Sequence, residues 1–166
     1  MTTKAKNTKL RHNEYYGQQS TLDELYEKSL NDVKFKKLYE RIIEEGNILL
    51  AYRNIKANTG SKTKGTDGKT IKDIAAMTNE QVIQMVRDRL KKYIPQAVRR
   101  VEIKKDNGKM RSLGIPTILD RVYQNVARLA LEPQWEARFN PTSYGFSRKS
   151  LHDTSAFFSS RRCSKP

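Results

Sequence analysis

The sequence predicts an α+β fold in which helices surround a small antiparallel sheet made by one hairpin. Two capping-box tetrapeptides open helices, an Asp-Asn-Gly tripeptide marks a hairpin turn, and an apolar stripe at helical spacing follows a Gly-Ile-Pro segment. The length of 166 residues suits one domain. We divide the chain into a flexible basic arm (1–19), a helical region with a glycine-rich loop (20–97), a hairpin and helix (98–153), and a tail (154–166).

The net charge indicates the class of partner. Lys and Arg number 33 against 18 Asp and Glu, which gives a net charge of +15 and a pI of about 10.0. Such a field attracts polyanions and favours nucleic acid. The longest apolar run, residues 48–52, is too short to cross a membrane. The N-terminus shows no secretory signal, and the single Cys163 allows no internal disulfide. We therefore expect a cytoplasmic protein associated with nucleic acid.

The positive charge is concentrated between residues 87 and 111. Ten basic residues stand there against three acidic ones, a net charge of +7 within 25 positions. An ordinary solvated face, the alternative interpretation, would intersperse both signs, whereas clustered cations are typical of phosphate contact. The basic residues are Arg87, Arg89, Lys91, Lys92, Arg99, Arg100, Lys104, Lys105, Lys109 and Arg111.

Helices are predicted on both sides of a glycine-rich loop. The capping box Thr21-Leu-Asp-Glu24 predicts a helix that ends near Asn31. Apolar spacing predicts a second helix up to about Lys56, with Gly46 as its weak point. The residues that carry this spacing are Phe35, Leu38, Ile42, Leu49 and Tyr52. Three glycines within residues 58–70 predict a loop, and the capping box at residues 78–81 opens a helix that ends before Pro95.

The hairpin at Asp106-Asn-Gly108 has two candidate registers. A two-residue loop would pair Asp106 with Lys109 and mix polar and apolar residues on both faces. A three-residue loop, with Gly108 in the left-handed conformation, pairs Lys105 with Lys109 instead. We prefer the second register. It places Val101, Ile103, Leu113 and Ile115 on one face that is buried at the root, and Lys105, Lys109 and Arg111 on the same side at the tip.

A long helix follows the hairpin. Pro116 ends the strand and Thr117 caps the helix, whose apolar stripe runs through Leu119, Val122, Val126, Leu129 and Ala130. We expect a new helical turn at Pro133. The aromatic side chains of Tyr123, Trp135 and Phe139 follow the stripe, so we interpret them as core residues, with base stacking as the alternative.

A series of motifs runs in order from residue 51 to residue 146. Residues 51–60 read Ala-Tyr-Arg-Asn-Ile-Lys-Ala-Asn-Thr-Gly, and 63–68 read Thr-Lys-Gly-Thr-Asp-Gly. Residues 95–105 read Pro-Gln-Ala-Val-Arg-Arg-Val-Glu-Ile-Lys-Lys, and 107–117 read Asn-Gly-Lys-Met-Arg-Ser-Leu-Gly-Ile-Pro-Thr. Asp-Arg-Val-Tyr-Gln, Leu-Glu-Pro and Ser-Tyr-Gly-Phe follow from residues 120, 131 and 143. Together they resemble the N-terminal block and fingers of group II intron reverse transcriptases, which usually have Pro at the position of Ser112.

The resemblance implies a function for the complete protein. That function is RNA-directed DNA polymerisation, with intron RNA as template and partner, DNA as a further partner, and magnesium as a cofactor that this chain itself does not bind. By resemblance, Lys104, Lys105 and Arg111 contact the nucleotide triphosphate. The same resemblance assigns template or RNA contacts to Arg53, Gly60, Lys64, Arg99, Arg100 and Lys109.

The resemblance fades after residue 146. Residues 147–153 are one residue shorter than the family pattern, and residues 154–166 match nothing in it. No counterpart of the palm aspartates is seen, so we interpret the sequence as a truncated or frame-shifted copy that is catalytically inactive alone. The alternative is a free-standing basic RNA-binding module. A phosphate-binding loop at Gly60–Gly65 lacks its lysine, and two His and one Cys are too scattered for zinc.

Overall fold

A computed structural model describes residues 12–139, and the expectations for residues 1–11, 143–146 and 154–166 lie outside them. Six α-helices and one two-stranded antiparallel sheet occur within this range, which confirms the α+β prediction. The elements are α1 (Gln18–Leu30), α2 (Leu38–Ile42), α3 (Glu45–Ala57), α4 (Ile71–Ala75), α5 (Asn79–Lys91), β1 (Arg99–Lys104), β2 (Met110–Ile115) and α6 (Ile118–Arg138). Two 3-10 helices, His12–Gly17 and Thr59–Lys62, precede α1 and follow α3.

Helix α6 is central to the core. Its buried stripe contacts α3, and the buried side chains of α4 and α5 complete the same cluster. Two asparagine amides tie α3 to α6: Asn47 Nδ2 donates to Val126 O at 3.1 Å, and Asn125 Nδ2 donates to Ala51 O at 3.0 Å. Because a buried amide left without partners is costly, these bonds fix how the two helices align.

The N-terminal helices differ from the sequence prediction. Helix α1 begins at Gln18 instead of Thr21, after Gly17 at a φ of 66°. Residues 12–19, expected within a flexible arm, therefore form a 3-10 helix and the first turn of α1. The second predicted helix is two helices, because Glu44 is extended (φ −62°, ψ 139°) and separates α2 from α3. The break leaves Gly46 in the first turn of α3.

Threonine caps define three of the other helices. The predicted capping box at Thr78 and Gln81 is present, and the Thr117 side chain accepts from Asp120 N at the start of α6. A further box, Thr70 with Asp73, opens α4 and was not predicted. Each of these caps satisfies amides that the first helical turn leaves without backbone partners.

The hairpin has the predicted three-residue loop. Lys105 N donates to Lys109 O at 2.8 Å, Gly108 N donates to Lys105 O at 2.9 Å, and Gly108 has a φ of 78°. The strand register pairs Val101 with Leu113, as expected. The expected buried face is wrong, however, since Ile103 is 48% exposed and Leu113 is 38% exposed. No described helix packs broadly against the strands, so the apolar face remains open.

The aromatic residues of α6 and of its C-cap, Phe139, divide into two groups. Tyr123 is 5% exposed and belongs to the core, as predicted. Trp135 is 61% exposed and Phe139 is 43% exposed, so the core interpretation is wrong for both. Helix α6 continues through Pro133 without a new start. The side chain of Trp135 therefore stays on the side of α6 that faces the loop after α1, where it lines an open groove.

Arg121 fastens the glycine-rich loop to the start of α6. Its Nη1 donates to Gly60 O and its Nη2 to Thr63 O, both at 2.8 Å, while its Nε and Nη2 also donate to Pro116 O at 3.0 Å. Burial lowers the pKa of the guanidinium from its usual value, and the nearby Asp67 carboxylate opposes that shift. An arginine stays protonated under such conditions, so a charged guanidinium group donates hydrogen bonds to three carbonyl oxygens here.

The neighbouring Asp120 fastens the segment that enters β1. Its buried carboxylate accepts from Tyr93 Oη and from Gln96 N, both at 3.2 Å. The loop and this segment also meet directly, because Thr66 Oγ1 donates to Ala97 O at 2.8 Å. We call residues 120 and 121, with the loop and segment that they hold, the hairpin anchor.

Close packing at the hairpin anchor requires glycine at one position. A Cβ added to Gly65 would lie 2.6 Å from the Cα of Thr117, closer than any side chain allows. The loop can therefore reach the N-terminus of α6 only with no side chain at this position.

We predict that Gly108→Val will open the hairpin locally. A β-branched residue is strained at positive φ by roughly 1–2 kcal/mol. The Lys105 amide should therefore exchange its hydrogen several-fold to about thirtyfold faster. Gly108→Asn is the matched control, because asparagine tolerates this conformation, and Lys109→Ala should barely change stability. Unchanged exchange in Gly108→Val would show that the turn does not hold this conformation.

We also predict that Arg121→Ala will destabilise the chain by about 2–4 kcal/mol, because hydrogen bonds to a charged group are among the stronger ones. Urea denaturation would measure the loss, and trypsin cleavage at Lys62 and Lys64 should accelerate. Arg138→Ala is the control on the same helix. It removes an exposed pair with Asp32 (3.4 Å), so it should cost about 0–1 kcal/mol. Equal denaturation midpoints for the two variants would contradict the assignment.

Candidate nucleic-acid interface

The hairpin presents six exposed cations. Within residues 12–139, none of them forms an ion pair. They are Arg99, Arg100, Lys104, Lys105, Lys109 and Arg111, and we call them the hairpin cations. Strand alternation places Arg100 and Lys104 on one face and the other four on the opposite face. A ligand with several phosphates can therefore contact cations on either face of the hairpin.

Two carboxylates close to Arg111 in the hairpin sequence, Glu102 and Asp106, offer it a structural role as an alternative to ligand binding. A pair with Glu102 or Asp106 would have made it a stabilising residue, but neither pair forms within the described part of the chain. Arg111 lies directly across from Ile103, and Glu102 faces the other side of the sheet. The guanidinium of Arg111 is exposed and available to a ligand.

The cations of α5 behave differently from the hairpin cations. Arg87 Nε donates to Ile43 O at 3.1 Å, Arg89 Nη2 donates to Ile94 O at 2.6 Å, and Lys91 pairs with Asp88 at 2.8 Å. Each of these side chains has a structural contact. The basic cluster predicted over residues 87–111 is therefore divided. Arg87, Arg89 and Lys91 have structural partners, whereas Lys92 and the six hairpin cations are exposed and form no ion pair within residues 12–139.

The three remaining predicted template residues lie before the hairpin. Lys64 is exposed in the glycine-rich loop, while the Gly60 carbonyl is occupied by Arg121. Arg53 is half-buried, with its guanidinium carbon 3.5 Å from the centre of the Tyr15 ring. Its Nε is buried and has no hydrogen-bond partner among residues 12–139. Arg53 thus packs against the 3-10 helix before α1, and its assigned role stays a prediction.

Sequence reasoning missed the residues that position the hairpin. Arg121 and Asp120 were noted only as motif residues, and Thr66 was noted only as a departure from a phosphate-binding loop. Their partners are mostly backbone atoms, which leave no pattern of residue types to detect. The nearest signal was the Thr117 cap, which correctly places both residues in the first turn of α6.

Metal-binding clusters and membrane-spanning helices are both absent from residues 12–139. Among residues 12–139, no group of three or more His, Cys, Asp or Glu side chains is placed to hold a metal ion. None of the helices between these residues has the length and apolar character needed to cross a bilayer.

Comparison with known proteins gives several relatives, although no family model matches the chain. It is 37% identical over 123 residues to the group II intron-encoded protein LtrA of Lactococcus lactis subsp. cremoris, covering 73% of this chain and 20% of that protein. It is 36% identical over 123 residues to protein YkfC of Escherichia coli K12, covering 72% and 32%. It is 33% identical over 116 residues to maturase-like protein 1 of Euglena gracilis, covering 67% and 25%.

The chain therefore spans between a fifth and a third of the length of these three relatives. The matches cover roughly 70% of the chain itself. The resemblance predicted from the motifs is confirmed: the homologues of this chain are group II intron-encoded proteins and maturases.

Proposed function

We propose that this chain is the RNA-binding fingers part of a group II intron reverse transcriptase and maturase. The observation that carries the proposal is the set of six exposed hairpin cations, which make no ion pair within residues 12–139. Asp120 accepts from Gln96 N before the hairpin and Arg121 donates to Pro116 O after it, so the cations project from a fixed root. The names of the relatives support intron RNA as the partner.

Within this proposal the cations have two roles. Lys104, Lys105 and Arg111 offset the charge of nucleotide phosphates, where arginine can bind two oxygens at once. The remaining predicted residues contact the template or position its contacts: Arg53, Gly60, Lys64, Arg99, Arg100 and Lys109. For the complete protein we propose RNA-directed DNA polymerisation with magnesium, in the cytoplasm.

We predict RNA binding that weakens steeply with salt and discriminates little by sequence. If six phosphates are neutralised, the slope of log affinity against log salt should be about −4 to −5, at about 0.7 per phosphate for single strands. The combined variant Lys105→Ala, Lys109→Ala, Arg111→Ala should reduce the magnitude of that slope by about 2. Fluorescence anisotropy of a labelled RNA at several salt concentrations would measure both.

The matched control removes the same charge from lysines that already have partners. Lys28, Lys37 and Lys91 pair with Glu24, Glu40 and Asp88. Their combined replacement by alanine should leave the slope nearly unchanged if the hairpin cations make the phosphate contacts. If both triple variants lose the same amount of slope, RNA binding depends on net charge alone and not on the hairpin. A slope near zero for the original chain would reject the proposed RNA interface.

Primer extension distinguishes RNA binding from catalysis by this chain itself. The motif comparison, which found no counterpart of the palm aspartates, predicts no nucleotide incorporation on a primed RNA template with magnesium. A chain carrying Arg111→Ala serves as the control for contaminating polymerases, because contaminants extend the primer equally in both preparations. Robust extension by the original chain, with loss in the variant, would contradict the prediction.

A further inference from the structure

Trp135 lies exposed in a groove at the far end of α6. It is the single tryptophan of the chain and is 61% exposed. The groove has a volume of about 410 Å³ and lies between α6 and the loop that follows α1. Its lining includes Val33, Lys34, Phe35, Gln134, Trp135 and Arg138. An indole and a phenyl ring thus share an open groove with two cations.

Several contacts fix the loop that forms the opposite wall. Ser29 Oγ donates to Gln134 O at 3.0 Å, and Val33 N donates to Lys28 O at 3.0 Å. Asp32, at a φ of 51°, turns the chain and pairs with Arg138 at 3.4 Å. The groove is therefore held from both sides, because its two walls are bonded to each other.

We infer that this groove binds a base of single-stranded RNA stacked on Trp135, with the exposed Lys34 contacting a flanking phosphate while Arg138 stays paired with Asp32. Stacking on an exposed aromatic ring beside cations is how proteins bind single strands without reading sequence. The charge of the chain favours this occupant over a second copy, because two chains of net charge +15 repel each other. The inference rests on the proposed RNA-binding function and adds a second contact surface.

The groove and the hairpin are separate sites. Trp135 follows the first residue of α6, Ile118, by 17 positions. At 1.5 Å per residue, the groove lies about 25 Å along the helix from the hairpin anchor. A short oligonucleotide can therefore occupy one site without the other, and a longer strand can reach both.

The fluorescence of Trp135 tests the inference, because no other residue contributes tryptophan emission. A single-stranded uridine hexamer should quench the emission, and inorganic polyphosphate of equal charge should not, because it has no base to stack. Trp135→Ala should weaken binding of the hexamer by about five- to 150-fold, which corresponds to the loss of one stacked base. Tyr39→Ala, which removes an exposed aromatic ring of α2, is the matched control and should leave affinity unchanged.

Three results would overturn the inference. One is equal quenching by polyphosphate. Another is emission that is blue-shifted and shielded from iodide before RNA is added. The third is a concentration-dependent shift without RNA, which would identify a second copy as the occupant.

The hairpin variants separate this inference from the proposed function. If the hexamer quenches Trp135 in the hairpin triple variant as it does in the original chain, and the triple substitution leaves the salt slope unchanged, only the proposed role of the hairpin is rejected. Steep salt-dependent binding without any quenching would reject only the groove.

Discussion

The guanidinium of Arg121 is the contact on which the arrangement of the candidate site depends. It bonds to the carbonyls of Gly60, Thr63 and Pro116, and so connects the glycine-rich loop, the end of β2 and the start of α6. Lysine could not replace it, because one ammonium group lacks the planar fork that reaches several acceptors in fixed directions. A protein rich in exposed cations thus uses one half-buried cation to organise its backbone.

The hairpin depends on this anchor more than a buried sheet would. A two-stranded sheet is marginally stable in water, and here Ile103 and Leu113 contribute little burial. Its shape comes from the three-residue turn and the strand ladder, while its position comes from Asp120 and Arg121 at the root. The tip is consequently free to adjust to a phosphate backbone, because no packed core resists small movements of the strands.

Local chemistry explains which features were predictable from sequence. The caps at Thr78 and Thr117 and the register of the hairpin involve residues within a few positions of each other, and the sequence predicted them correctly. Burial of Ile103 and Trp135 was predicted wrongly, because an apolar pattern shows which face is apolar and not whether another element covers it. Arg121 escaped notice because its acceptors are backbone carbonyls, which every loop contains.

The same reasoning separates the cations of α5 from those of the hairpin. The cations of α5 have backbone or carboxylate partners, so their charge is partly offset within the protein. The hairpin cations have no such partners within the described residues, and their mutual repulsion persists until a polyanion arrives. Binding of a polyanion would relieve that repulsion and release counterions from the phosphates, and both effects weaken with added salt.

Affinity for RNA should therefore depend on the hairpin cations, whereas the stability of the helical part of the chain depends on its buried contacts. The two properties can change independently, because the cations proposed to bind RNA are not the ones that hold the fold.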